Sequence, residues 1–331
     1  MQVIETSACV RLLVVYRLLS RDIIYGMKEI VQELVREKKK AIWLFLQEYG
    51  KVTIALGVLF VTLLTVVVLI RGATPQTLKV SFLDIGQGDA ILIQTPSGHD
   101  MLIDGGPNNH ILEKLSKKIS YFDHHIDVVV STHPDADHIT GLIPVLLWYD
   151  VDHIIVSPIT GHTGVFQVLQ KSISDEHASI HIGKKGDDVD FGDGVVAHIL
   201  YPDAYFHGNE KNTNDASVSL VVTYGDESIL LTGDLPSTHE GELLQSILPH
   251  HVTIYKAGHH GSKYSSGEQL LSYIKPEYVV ISAGKNNKYG HPNSETLERL
   301  KTYSQEILST IDRGTITFSL DGKGVSIKTE K

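Results

Sequence analysis

The hydrophobic pattern changes character twice along the chain. Between residues 23 and 35, Ile23, Ile24, Met27, Ile30, Val31, Leu34 and Val35 recur at helical spacing with charges between them. That is the pattern of an amphipathic helix lying near a membrane surface or against a partner helix. Val52 to Ile70 then reads VTIALGVLFVTLLTVVVLI without a charge, closed by Lys51 and Arg71. At roughly 1.5 Å per residue this run crosses a bilayer core, and it predicts a single transmembrane helix. It begins too far along the chain for an ordinary cleaved signal peptide, and no small-residue cleavage site follows.

From residue 78 onward, short β-branched runs alternate with helical stretches. Strands are expected at 78–83, 90–95, 101–103, 126–131, 154–156, 195–200, 218–223, 228–231, 252–255, 278–282 and 315–319. Helices are expected at 108–118, 140–148, 164–173, 238–247, 268–274 and 294–303. The strands come first in hairpins, as at Thr95-Pro96-Ser97-Gly98, and later singly between helices. This order predicts an α/β (α+β) fold of two mostly β layers covered by helices, a four-layer αββα sandwich. The expected organisation is a leader at 1–51, a transmembrane helix at 52–70, a linker at 71–77 and one folded domain at 78–331.

Charge adds an orientation and an exclusion. Arg36, Lys38, Lys39, Lys40 and Lys51 crowd the start of the apolar run, whereas only Arg71 and Lys79 follow it closely. The positive-inside bias puts the N-terminus in the cytoplasm and residues 77–331 outside it, on a single-pass protein of the cell membrane. Residues 1–71 hold ten of the 29 Lys/Arg and six of the 39 Asp/Glu, leaving 19 and 33 beyond, a balance of −14. So acidic a domain argues against a broad polynucleotide footprint. Two bound divalent ions would restore four positive charges at one place. Cys9 is the only cysteine, which excludes intramolecular disulfides and a cysteine-based zinc site.

The candidate chemistry gathers at strand ends. Ser131-Thr132-His133-Pro134-Asp135-Ala136-Asp137-His138 follows a buried-strand pattern and precedes a helical one. Two imidazoles and two carboxylates on one tight loop suit a divalent ion such as zinc, manganese or iron; otherwise the aspartates cap the helix and the histidines are incidental. The glycine-rich FLDIGQGDA segment carries Asp84 and Asp89, and LIDGG ends a strand at Asp104. Asp104 is placed either to accept the free ring N–H of a metal-ligating histidine or to cap a helix. Asn214 and Asp215 open one strand, and Asp234 closes the next, where its charge needs a cation or a helix dipole. Lys256-Ala257-Gly258-His259-His260-Gly261-Ser262 offers two adjacent imidazoles whose side chains are expected to diverge. His291 stands before a helix as a proton donor, a phosphate contact or a surface residue.

Seven segments in this order, FLDIGQGDA, LIDGG, STHPDADH, the Asn-Asp-x-Ser strand start, LLTGD, KAGHHGS and NKYGHP, resemble the metallo-β-lactamase-fold hydrolases. More narrowly, they resemble the soluble hydrolase domain of ComEC-type DNA-uptake (competence) proteins. The resemblance implies one or two divalent ions, zinc or manganese. It assigns His133 and Asp135 to a first site and Asp137, His138 and His260 to a second, with Asp234 bridging both. It makes Asp137, His259 and His291 catalytic, and gives Asn214, Lys256 and Ser262 to the substrate. Asp104 would stand behind the ligands, with Asp84 and Asp89 shaping the floor. Asp135 occupies the place where a second histidine is usual, so the first site is richer in oxygen, and no further histidine completes it near Asn214. The implied function is a membrane-anchored, metal-dependent phosphodiesterase or nuclease that uses a metal-activated water. Its expected partners are a phosphodiester, DNA among the candidates, the membrane, and a membrane protein. A lactam or thioester hydrolase, or a binding module with a degenerate site beside a transporter, are the alternatives. One span does not line a pore unaided, so the chain does not itself transport DNA.

Overall fold

The computed structural model describes residues 5–73, 77–203, 206 and 212–331; within the first helix, side chains are described for residues 23–66. The chain divides into two compact units, Met1–Pro75 and Gln76–Lys331.

The first unit is one helix, α1 (Glu5–Ala73), of 69 residues and roughly 100 Å at 1.5 Å per residue. The leader and the apolar run, expected as separate segments, are continuous because no proline interrupts residues 5–73. Residues 71–73, expected to open a linker, are helical, and 74–76 lie outside the described residues. Among the described residues α1 alone is long and apolar enough to cross a membrane, over Ile23–Val66. The side chains of 67–70, the end of the expected span, lie outside the described residues. Thr62 and Thr65 donate their hydroxyls back to the carbonyls of Val58 and Val61, both at 2.8 Å, which leaves no unpaired hydroxyl on this apolar stretch at those positions.

In the second unit the order is β1 (Leu78–Phe82), β2 (Ile91–Gln94), β3 (Asp100–Ile103), α2 (His110–Ser116), β4 (His125–Ser131), α3 (Ala136–Ile139), α4 (Leu142–Trp148), β5 (Asp150–Val156), α5 (Gly164–Asp175), β6 (Ser179–Ile182), β7 (Asp188–Asp190) and β8 (Val195–Tyr201). After a 3-10 turn at Thr213–Ala216 come β9 (Ser219–Tyr224), β10 (Glu227–Leu231), α6 (Ser237–Leu243), β11 (Ile254–Lys256), a second 3-10 turn at Gly258–Gly261, α7 (Glu268–Ile274), β12 (Tyr278–Ile281), α8 (Ser294–Tyr303), β13 (Glu306–Ser309), α9 (Thr310–Arg313), β14 (Ile316–Leu320) and β15 (Val325–Thr329).

The strands form two sheets, ordered β15-β14-β1-β2-β3-β4-β5-β6 and β13-β12-β11-β10-β9-β8-β7. Three apolar clusters define four layers. Val80, Phe82, Ile93, Val130, Val222, Ile229 and Phe318 fill the space between the sheets. Leu102, Ile111, Ile139, Leu142 and Leu169 join the first sheet to its helices, and Leu230, Tyr255, Leu270 and Leu300 join the second sheet to its own. Strand period 2 feeds alternate side chains to the two clusters: in β4, Val128 and Val130 face the partner sheet while Val129 faces the helices. Phe82 and Phe318 meet edge to face at 5.9 Å in the middle layer.

The strands without a sequence expectation are β6, β7, β13 and β15, and these are the four edges. An edge strand needs little buried apolar surface, and these four are short, with few or no buried side chains. All four side chains of β6 are exposed, and β7 is Asp-Val-Asp.

Strands β3 to β6 run parallel, as do β10 to β13. Parallel strands bring their C-terminal loops to one end, where α/β sheets place their sites. Two of these loops are clipped together by backbone: Gly105 N–H donates to His138 O at 2.8 Å and Gly141 N–H to Gly106 O at 2.9 Å. The approach leaves no room for a side chain, since a Cβ on Gly141 would lie 1.9 Å from Gly105 O. Gly141→Ala is therefore expected to lower stability by about 1–3 kcal/mol in thermal or denaturant unfolding. Gly164→Ala, where a Cβ meets nothing within 4 Å at the start of α5, is expected to be neutral or slightly stabilising.

Candidate metal centre

The site is assembled by fixing imidazole rings from behind. Asp104 leaves β3 with φ 57°, a left-handed conformation that aspartate tolerates better than most residues. Its carboxylate accepts from Thr132 N–H at 2.9 Å, from the Thr132 hydroxyl at 2.7 Å and from His138 Nδ1 at 2.7 Å. The Thr132 hydroxyl in turn accepts from His133 Nδ1 at 3.0 Å, and His260 Nδ1 donates to Ser282 O at 3.0 Å. In all three rings Nδ1 is engaged, so Nε2 is the atom presented forward. All three Nε2 atoms are buried without a protein hydrogen-bond partner, as is Asp234 Oδ1.

These atoms converge. Asp234 Oδ2 lies 3.4 Å from His138 Nε2, 3.5 Å from both His259 and His260 Nε2, and 3.9 Å from His133 Nε2. Asp137 Oδ2 is 3.5 Å from His260 Nε2, and Asp135 Oδ2 is 3.9 Å from His133 Nε2. Tetrahedral donors at about 2.1 Å from a common ion stand roughly 3.4 Å apart. His133, His138 and Asp234 form one triad with metal-ligand spacing, and Asp137, His138 and His260 form another. The residues fit a divalent ion, or two sharing Asp234. Asp135 is the N-cap of α3 but makes no capping hydrogen bond; its carboxylate accepts from the Thr213 hydroxyl instead.

Electrostatics describe a site that wants a cation. Burial disfavours charge on His138 and His260. The carboxylates of Asp234 and Asp104 outweigh it at His138 and hold that ring well above its ordinary value, and Asp234 and Asp89 push His260 up to about 9. Burial likewise opposes ionisation of Asp234 and Asp137, yet neighbouring imidazoles hold both carboxyls well below the usual range. Protons on the rings thus occupy the place that a metal charge takes.

Several expected residues sit elsewhere than anticipated. His259 and His260 do not diverge: both have left-handed backbones, φ 48° and 56°, which turns consecutive rings toward the same carboxylate. They differ in access, His259 side chain 28% exposed and His260 1%. Lys256, expected at the substrate, is fully buried and ion-paired to Asp89, with Gly233 O at 3.3 Å; it underpins the Asp234 loop. Ser262 is buried, and its hydroxyl accepts from Tyr264 N–H within its own loop. Asp84 leaves the floor altogether: its carboxylate pairs with Lys331 at 3.0 Å and its N–H donates to the Thr315 hydroxyl. Asn214 does reach the mouth, 3.4 Å from His259 Nδ1, and the His291 ring stands 5.4 Å from that of His259. Burial, and then the charges of His259 and His260, hold His291 down to about 4, so its ring is neutral at physiological pH.

Sequence reading missed Thr132, Ser282 and Thr213. A threonine beside a ligand carries a faint signal, but a backbone carbonyl that orients a ring carries none. Gly88 makes the close backbone approach that the glycines of FLDIGQGDA allow: its Cβ would strike Asp137 O at 2.0 Å, so only glycine lets this turn pass under the metal loop.

Two convergent sheets with a His/Asp cluster at the ends of their parallel strands define the class. The chain belongs to the metallo-beta-lactamase superfamily, whose pattern matches residues 83–285. Within it, the chain is 29% identical over 257 residues to ComE operon protein 3 of Bacillus subtilis (strain 168), covering 72% of this chain and 33% of that protein. It is 26% identical to Recombination protein 2 of Haemophilus influenzae, over 76% of this chain and 30% of that one. It is 27% identical to Competence protein ComA of Neisseria gonorrhoeae, over 74% and 33%. The chain therefore spans about a third of the length of these curated relatives. It is a metal-dependent hydrolase of the superfamily with competence-protein relatives.

Asp104→Asn removes the carboxylate behind His138 while keeping its shape. Metal affinity, measured by isothermal titration, is expected to fall about 10–100-fold with the fold retained by circular dichroism. Unchanged affinity would show that Asp104 does not orient a ligand.

Proposed function

We propose that the chain is a membrane-anchored phosphodiesterase of nuclease type. The observation that carries this reading is one buried carboxylate, Asp234, with four imidazole nitrogens within 3.4–3.9 Å, one of them on the partly exposed ring of His259. Divalent ions held there supply a bound water of lowered pKa and Lewis-acid neutralisation of charge on phosphate oxygens. His133, Asp135 and Asp234 would hold one ion, and Asp137, His138, His260 and Asp234 the other. The oxygen-rich first set favours manganese or weakly held zinc.

The chain's own groups then divide the remaining work. Asp137, partly exposed at the mouth, orients the attacking water by accepting its hydrogen bond. His259 and His291 face the open side: one neutral ring hydrogen-bonds a non-bridging oxygen and the other stands by the leaving oxygen. Asn214 steadies His259. Kinship to proteins named for competence and recombination supports a nucleic-acid phosphodiester as the substrate, and the charge bias around residues 36–51 supports a cytoplasmic N-terminus with the hydrolase domain outside.

Two measurements test the reading. Metal-stripped protein is expected to cleave bis(p-nitrophenyl) phosphate and single-stranded DNA only after manganese or zinc is restored, and Asp137→Ala to lose at least about 10²-fold in turnover. A folded, metal-loaded protein that cleaves neither would overturn the phosphodiesterase and leave lactam or thioester hydrolysis to be assayed. For topology, Cys9 is the chain's sole thiol. It is expected to react with a membrane-impermeant maleimide in inverted vesicles and not in intact cells; the reverse pattern would invert the assignment.

A further inference from the structure

The domain is acidic, but two of the loops at the mouth are not. Residues 256–267 and 282–294 contain Lys256, Lys263, Lys285 and Lys288 and no aspartate or glutamate. Lys256 is buried beneath Asp234; the other three are exposed. Two of these exposed lysines lie over tyrosine rings, Lys288 at 4.9 Å from the Tyr289 centroid and Lys263 at 5.0 Å from Tyr264. Tyr289 is 54% exposed and Tyr264 64%. Both rings are thus open to solvent, each beside a cation, on the loops that carry His259 and His291.

Tyr289 is also held in place. The Asn287 side-chain oxygen accepts from Tyr289 N–H at 3.2 Å and from His291 N–H at 3.0 Å, and the Asn287 amide donates to Gly284 O at 2.9 Å and to His291 O. One carboxamide thus fixes the backbone of both residues. The Tyr289 ring lies nearly parallel to that of His291, 24° between planes and 5.7 Å between centroids, and His291 adjoins His259 and the Asp234 cluster. A rigid ring pays little ordering cost on binding. Asn293 N–H donates to Gly261 O at 2.9 Å, which ties this loop to the one that carries His259, His260 and Tyr264.

Resting on the phosphodiesterase reading, we propose that Tyr289 is a base-stacking residue. It seats the nucleobase flanking the scissile phosphodiester, while Lys288 and Lys285 receive the adjoining phosphates and the Lys263–Tyr264 pair offers a second such platform. The site thereby selects base-bearing single strands over phosphodiesters without a base. Stacking reads any π-face, so the selection is for the presence of a base rather than its identity.

The test uses the full chain in detergent, metal-loaded, with an oligothymidylate strand and a length-matched abasic deoxyribose-phosphate strand. Wild type is expected to show a KM about tenfold or more lower for the base-bearing strand. Tyr289→Ala is expected to abolish that ratio and Tyr289→Phe to keep it. An equal fall in kcat on both strands with the ratio intact would make Tyr289 a mere prop for His291 and overturn the proposal. Binding of both labelled strands to Asp137→Ala, followed by fluorescence anisotropy, separates the two readings. Base-dependent binding that Tyr289→Ala removes supports the platform even if no cleavage is found, which would sink only the phosphodiesterase. Equal binding of the two strands sinks the platform whatever the hydrolysis shows.

Discussion

A carboxylate buried among imidazoles is the constraint on which the rest of the domain depends. Asp234 is almost wholly inside the protein, where an isolated charge is strongly disfavoured. It is tolerated because rings from two loops and the Lys256–Asp89 pair surround it. Those loops belong to both sheets, so the charge cluster is satisfied only when the sheets have packed and their parallel strands end together. Glycines at 88, 105 and 141 make that convergence possible, since at each a side chain would collide with backbone of the neighbouring loop. The apolar middle layer supplies the driving force, and the polar cluster supplies the demand for one particular register.

Where the sequence reading succeeded, a residue's surroundings were encoded next to it. Central strands such as β4 show β-branched runs because both faces are buried, and the His133–His138 run shows its chemistry because four donor side chains crowd one loop. Where it fell short, the information lay in three dimensions. The four edge strands are short and bury little, so their patterns are too weak to stand out. Lys256 looks like a substrate contact in KAGHHGS, and only the fold shows that its ammonium turns inward to Asp89. Asp84 and Asp89 share one short motif yet part company, one to Lys331 and one to Lys256. The expected divergence of His259 and His260 assumed extended backbone; two successive left-handed residues defeat that assumption. Such conformations cost about 1–3 kcal/mol each for non-glycine residues and persist where the surroundings over-determine them.

The long helix and the domain obey different rules of burial. In the domain, most apolar side chains are covered by protein. Along α1, the described apolar residues from Ile23 to Val66 are all open, Trp43, Phe45 and Phe60 among them. An uncovered apolar surface of that length is not sustained by water, and a bilayer is the solvent that suits it. The absence of proline and the back-bonded threonines keep every backbone group of the apolar stretch inside the helix, which hydrocarbon surroundings demand.

The charge of the domain is acidic overall but unevenly spread. Screening at physiological ionic strength limits exposed charges to a reach of about 8 Å, so the domain's overall balance does little at any one point. What governs the mouth of the site is the local field. There, three exposed lysines on two acid-free loops surround a cluster that divalent ions make more positive still. Remote acidic residues disfavour broad, non-specific adhesion of a long polynucleotide to the rest of the surface. The same distribution therefore leaves the loops that carry His259 and His291 as locally basic segments of an acidic surface.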